Sequence, residues 1–139
     1  MANNFKIKAA ELVEVPVALG NTRNTIYFPD LPNIRVKQIE GIEVYTALEL
    51  STSLSGRTVQ AAADIKDATI TLYFTGGEYI VSPLEALHRV INKTNSTFYG
   101  DIPSLAGQVI DWTKCYVTLT SNVANFANKS FMFNVYYIL

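Results

Sequence analysis

Apolar residues dominate the last stretch of the chain, from Phe131 to Leu139. At the two-residue period of a β-strand, Phe131, Phe133, Val135, Tyr137 and Leu139 project one way and Met132, Asn134, Tyr136 and Ile138 the other. Both faces are largely apolar, which predicts a strand held inside a sheet with its second face against another layer or another subunit. The longest β-type run is Ile34 to Leu50. In it Ile42, Val44, Thr46, Leu48 and Leu50 make a buried face, and Glu43, Tyr45, Ala47 and Glu49 a wetter one. Gly41 marks a bulge or bend. In Ala68 to Phe74 the alternation sends Ile70, Leu72 and Phe74 inward and Thr69, Thr71 and Tyr73 outward. Gly76-Gly77 then leads into Glu78 to Val81, a hairpin signal.

Shorter runs complete the β pattern. Phe5 to Ala9 and Leu12 to Leu19 predict a strand or strand pair, and Pro16 removes a ladder donor there, which favours a sheet edge or a bulge. Thr25 to Phe28 stops at Pro29-Asp30-Leu31-Pro32, a corner in which two prolines fix the backbone. Thr58 to Ala63 is a weaker strand candidate, and Trp112 to Thr120 a further one. One helix is expected, Pro83 to about Asn92, with Ser82 as N-cap, Glu85 closing a capping box, and Leu84, Leu87 and Ile91 on one face. A long loop, Lys93 to Ile110, follows. The expected fold class is all-β: a single domain over residues 1–139, a two-sheet antiparallel β-sandwich of jelly-roll topology with one short helix.

Composition narrows the class. Hydrophobic residues are 49% and charged residues 17% of the chain, below the roughly 25% charge of ordinary soluble domains. Ser, Thr, Asn and Tyr must fill the surface, which suits a surface that meets other protein. A net charge of −1 gives no global attraction for nucleic acid. One cysteine, Cys115, excludes an intrachain disulfide and a multi-cysteine metal site. No apolar run approaches the roughly 20 residues of a bilayer span, and no secretory leader is evident.

Candidate chemistry is sparse. The one histidine, His88, stands off the apolar stripe of the predicted helix and reads as solvent-exposed. Cys115 shares a strand face with Val117 and Leu119 and reads as a small buried hydrophobe. Glu43 and Glu49, six residues apart on one strand face, are too far apart for a retaining carboxylate pair. Gly76-Gly77 lacks the Gly-Lys-Ser/Thr of a phosphate loop. Arg35 and Lys37 near Tyr45 form a conceivable basic-aromatic patch, outweighed by the charge balance. Tyr45, Tyr73, Tyr79, Tyr99 and Tyr116, with Trp112, fill sheet surfaces or line a sugar platform or protein interface. The chain is therefore read as a non-enzyme without cofactor or metal.

In chain order, an amino-terminal strand, the Pro29 to Pro32 corner, a long bent strand, the Gly76-Gly77 hairpin, one short helix, a long loop and a last apolar strand resemble a single jelly-roll capsid protein. The likeness is to small structural proteins of icosahedral, particularly tailless, bacteriophages. It implies residence in the virion and assembly with copies of itself and with other capsid proteins. Many such proteins carry a basic arm that touches the genome; none is present here, so no direct nucleic-acid binding is expected. The contact candidates are Pro29 and Pro32 in the corner, Tyr99 and Pro103 in the long loop, Trp112, and Tyr136 and Tyr137 in the terminal strand. The alternative is a carbohydrate-binding, adhesin-like β-sandwich that uses exposed tyrosines.

Overall fold

The computed structural model describes residues 7–88 and 107–139. Its strands are β1 (Lys8–Pro16), β2 (Thr25–Tyr27), β3 (Gln38–Tyr45), β4 (Thr58–Val59), β5 (Ala68–Tyr73), β6 (Tyr79–Pro83), β7 (Gln108–Val109), β8 (Tyr116–Leu119) and β9 (Lys129–Ile138). They form two sheets, one ordered β1-β9-β3-β7 and the other β2-β8-β5-β6. All pairings are antiparallel except that of β4, which lies parallel to β9 where β3 has ended. The protein is an all-β sandwich.

The terminal strand sits where its two apolar faces require. β9 runs between β1 and β3, with Val13 opposite Phe133 and Val15 opposite Phe131 on one side, and Val44 opposite Phe133 on the other. Phe131, Phe133 and Val135 face the second sheet, and Met132, on the opposite face, is also fully buried. Pro16 lies in edge strand β1, where a missing donor matters least. The register of β3 against β9 shifts between Ile39 and Gly41, the bend the glycine announced.

Across the sandwich, Ile70 and Leu72 of β5 and Val117 and Leu119 of β8 meet this layer in one buried cluster. Phe28 helps close one end, its ring centroid 5.2 Å from that of Phe133 and 5.5 Å from that of Trp112. Burying each such side chain contributes about 1.5–3 kcal/mol. The β5–β6 hairpin closes through Phe74 N–H to Glu78 O and Gly77 N–H to Phe74 O, with Gly77 at φ 93°, a left-handed conformation that only glycine adopts freely.

Four expectations are corrected. The expected helix from Pro83 opens as a 3-10 turn, Leu84–Leu87, capped by Pro83 without a side-chain bond; Ser82 donates to the Pro83 carbonyl instead, and residues 89–92 lie outside the described residues. The short α-helix α1 (Ala62–Ile65) lies where a strand was expected to continue. The end of the expected long loop is strand β7, paired with Gln38 and Ile39. The run Ile34 to Leu50 is a strand only from Gln38 to Tyr45.

That last boundary has a local cause. Thr46-Ala47-Leu48-Glu49 is a Thr-x-x-Glu capping box: the Glu49 carboxylate accepts from Thr46 N–H at 2.8 Å, and Leu48 N–H donates to the Thr46 hydroxyl at 3.3 Å. The backbone takes one helical turn, with Leu50 N–H on Thr46 O at 3.0 Å.

Candidate functional site

Side-chain chemistry gathers at three places, beginning with the outer face of the β1-β9-β3 sheet. Glu14 of β1 is held there by four donors. Its Oε2 accepts from the hydroxyls of Ser53, Ser55 and Ser130 at 2.8, 2.5 and 2.7 Å, and its Oε1 from Ser55 N–H at 2.9 Å. Burial pushes the Glu14 carboxyl up, yet these hydrogen bonds together hold it below its ordinary value. The carboxylate thereby ties the loop at Ser53 to Ser55 onto β1 and β9. Nearby, Glu43 of β3 is fully buried rather than wet. Its Oε1 accepts from the Tyr136 hydroxyl at 2.5 Å, and Asn134 Nδ2 donates to the Tyr45 hydroxyl at 3.2 Å. Burial, then the bond to Glu43, raises the Tyr136 phenol well above its ordinary value.

The second place is the end of β3. His88, expected in solvent, is 2% exposed, and its Nε2 lies 2.7 Å from Glu49 Oε1. Its backbone also pairs with Val44 in an isolated parallel bridge beside β3. Burial raises the Glu49 carboxyl, but Thr46 N–H, His88 and the Thr46 hydroxyl outweigh it, so the group sits below its ordinary value. Glu49 thus lies beyond the strand that holds Glu43, and the two do not share a strand face.

Cys115 is buried as expected. Its sulfur accepts from Tyr73 N–H and donates to Asp111 O, each at 3.3 Å, and burial pushes the thiol up to about 12. Such a thiol is not a nucleophile near neutral pH. His88 and Cys115 have separate partners, so no dyad forms. Among the described residues no three His, Cys, Asp or Glu side chains gather as a metal-ligand group.

Near the Pro29 to Pro32 corner lies an apolar cavity of about 540 Å³, walled in part by Leu31, Val36, Val109 and Trp112. Trp112, expected as a contact residue, is instead 3% exposed and belongs to the core, and its indole N–H has no acceptor among the described residues. Arg35 pairs with Asp30 at 2.7 Å in this region rather than forming a patch with Tyr45, which stands at the far end of β3.

The third place is the outer face of the β2-β8-β5-β6 sheet. Register places Tyr27 opposite Tyr116, Thr71 between Tyr116 and Val81, and Tyr73 opposite Tyr79. The next row across is Thr25, Thr118, Thr69 and Pro83. None of these residues is charged. Tyrosines form a chain across the sheet, with ring centroids 5.5 Å apart for Tyr27–Tyr116, 6.4 Å for Tyr116–Tyr73 and 5.1 Å for Tyr73–Tyr79. Desolvation, then Tyr116, raises the Tyr73 phenol above its ordinary value. Tyr27, Tyr79 and Val81 are close to 60% exposed.

The other contact candidates are dispersed. Pro29 and Pro32 are exposed, and Tyr99 and Pro103 lie outside the described residues. Tyr136 is half-buried on the outer face with Glu43, while Tyr137 leans on the core from the opposite face. Sequence reasoning missed Tyr27, the carboxylate cluster of Glu14 and the Glu49–His88 pair. The Thr46-x-x-Glu49 spacing was the available signal for the last of these. No family model matches this chain, and neither the curated proteins nor the solved structures contain a significant match to it.

Proposed function

We propose that this chain is a jelly-roll structural subunit of a virion shell, of the kind built by icosahedral bacteriophages. The observation that carries the reading is the nesting of the strand pairs. With the short β4 set aside, the first strand pairs with the last (β1·β9), the second with the second-last (β2·β8), the third with the third-last (β3·β7), and the middle two with each other (β5·β6). Rolling such a ribbon brings β9 against β3 and β8 against β5, which are the two remaining antiparallel contacts. That nesting supports the jelly-roll reading, a plan of two sheets of four strands.

That fold serves capsids and lectins alike, so fold is an analogy and does not set function. The low charge supports the shell: 17% charged residues leave much of the surface ready to be covered at little desolvation cost. The buried thiol and the internally bonded carboxylates support a scaffold over a catalyst. In the shell, subunits meet copies of themselves and other capsid proteins, and symmetric repetition makes weak contacts add up. The exposed Pro29 and Pro32 are presented by a corner without regular structure, well placed to touch a neighbour.

Light scattering followed by electron microscopy of the purified protein, alone and co-expressed with other shell components, tests the reading. Closed rings or shells that contain the chain are expected. Its exclusion from every particle under both conditions overturns the proposal.

A further inference from the structure

We infer that the connection between β3 and β4, residues 46–57, is an acid-released strap, latched across β9 by the Glu14 carboxylate. The inference is independent of the shell reading and comes from the path of the chain. β9 has β1 on one side and β3 on the other, and β4 pairs with β9 where β3 has ended. The connection therefore leaves and rejoins the sheet on the same side of β9. Its tip nevertheless reaches Glu14 of β1, with the Ser53 and Ser55 hydroxyls on Oε2 at 2.8 and 2.5 Å and Ser55 N–H on Oε1 at 2.9 Å. A segment rooted on one side of a strand and bonded on the other has to cross that strand's outer face. Ser130 and Met132 are the β9 residues at the crossing. Both project away from the core, Met132 stands between Glu14 and Tyr45 in register, and both are fully buried.

The strap is tied within itself. Thr52 bridges to Thr58, Ser53 N–H donates to Arg57 O at 2.8 Å and Gly56 N–H to Ser53 O at 3.0 Å. Ala47 N–H donates to Gln60 O at 3.0 Å, which joins its two roots. The tip is attached to the far side of β9 by Glu14 and by Arg57, whose Nη1 donates to Val17 O at 3.0 Å. A guanidinium stays protonated at any pH a fold survives, so the carboxylate is the anchor that a proton can switch. The Ser130 hydroxyl, under the strap, adds a further bond to Glu14 Oε2 at 2.7 Å. Protonation removes the charge that strengthens all these bonds and places a hydrogen on a carboxyl surrounded by donors.

The other titratable groups on the packed elements are engaged elsewhere. On β1, Lys8 pairs with Glu40 and Glu11 accepts from Asn33; on β3, Glu43 and Tyr45 bond to Tyr136 and Asn134; Lys129 of β9 pairs with Asp64; Glu49, at the root, bonds to His88. Burial pushes the Glu14 carboxyl up, but its four hydrogen bonds hold it below the ordinary value of 4.5. Closure is therefore fully supported above about pH 4.5 and loses that support as pH falls toward the folded value.

Oxidation of Met132 by hydrogen peroxide tests this, because a thioether under the strap reacts only when it is uncovered. The full chain is treated from about pH 7 to about pH 3 with free N-acetylmethionine in the same tube as the standard. Parallel labelling of Cys115 with dithiodipyridine, which reacts with thiols in acid, reports global unfolding, since Cys115 is fully buried in the core. Relative to the standard, Met132 oxidation should accelerate about tenfold or more below pH 4.5 while Cys115 stays unlabelled. Glu14→Gln should show the faster rate already at neutral pH and lose most of the acid response. Ser55→Ala keeps the carboxylate but removes a donor that lowers its pKa, so release should move to higher pH. Met132 that reacts only when Cys115 does overturns the inference, since strap and fold then open as one. An acid response unchanged in Glu14→Gln also overturns it and moves the trigger to Glu49. If Glu14→Gln does not fold, release at an unshifted pH in Ser55→Ala overturns it instead.

Discussion

On the outer face of the β1-β9-β3 sheet, the carboxylates find their partners within the chain: Glu14 is held by Ser53, Ser55 and Ser130, and Glu43 by Tyr136. The outer face of the β2-β8-β5-β6 sheet has no carboxylate, and its tyrosines touch chiefly one another. Both arise from the same alternation of inward apolar and outward polar residues. The difference lies in what an outward charge does when a loop comes within reach. A carboxylate aimed at three hydroxyls and an amide anchors a covering segment, because charge-assisted bonds in a half-buried site are stronger than those to water. An outward phenol or threonine anchors little, and the face it occupies stays open. The first face contributes to stability, and the second contributes little beyond its own ring contacts.

The largest effect that separates the faces should come from Glu14→Ala. It removes the acceptor of three hydroxyls, of which Ser130 is fully buried and Ser53 nearly so. Hydroxyls stranded away from water together with lost charge-assisted bonds imply a loss of about 2–3 kcal/mol, read as a lower urea midpoint at unchanged slope. A loss below about 0.5 kcal/mol would mean that the loop is held by something other than its carboxylate anchor.

Acid should act on Glu14, and on Glu49 at the end of β3, with a definite sign. The folded Glu14 and Glu49 carboxyls lie below their ordinary value of 4.5, so between the folded and unfolded values the unfolded chain binds more protons. Their contribution is therefore complete above about pH 4.5 and is lost as pH falls through the folded values. Glu14→Gln should shrink the stability gap from wild type on going from pH 6 to pH 3, measured by urea unfolding at each pH. A gap that widens toward acid would contradict the assigned direction.

How far the sequence revealed these faces depended on the range of the interaction involved. The inward sets Ile70, Leu72 and Phe133, Val135 follow from a period of two, a property of the strand alone, and so does the Gly76-Gly77 hairpin. The end of β3 was misplaced because Thr46, Leu48 and Leu50 continue the alternation, while the competing capping box of Thr46 and Glu49 also satisfies the local backbone. His88 was misplaced because its partner Glu49 is 39 positions away, and nothing local opposes exposure of a histidine after a turn. Trp112 could not be told from a surface aromatic until Phe28 was placed against it. Tyr73, Tyr79 and Tyr116 were each legible as outward, but their alignment with Tyr27 depends on the registers of three strand pairs.

The smallest effect is the most telling about the second face. Tyr79 stands in edge strand β6 at 58% exposure, with its ring 5.1 Å from that of Tyr73. Tyr79→Thr leaves a good strand former at the position and removes a ring that packs on one neighbour. An aromatic cross-strand pair contributes roughly 0.2–1 kcal/mol, so the isolated monomer should lose about 0.5 kcal/mol or less. If the face were held within the monomer as the Glu14 face is, the loss would approach that of Glu14→Ala. Thermal unfolding separates the two cases: Tyr79→Thr should nearly overlay the wild type, whereas a drop like that of Glu14→Ala would mean that the ring is held by the fold as Glu14 is.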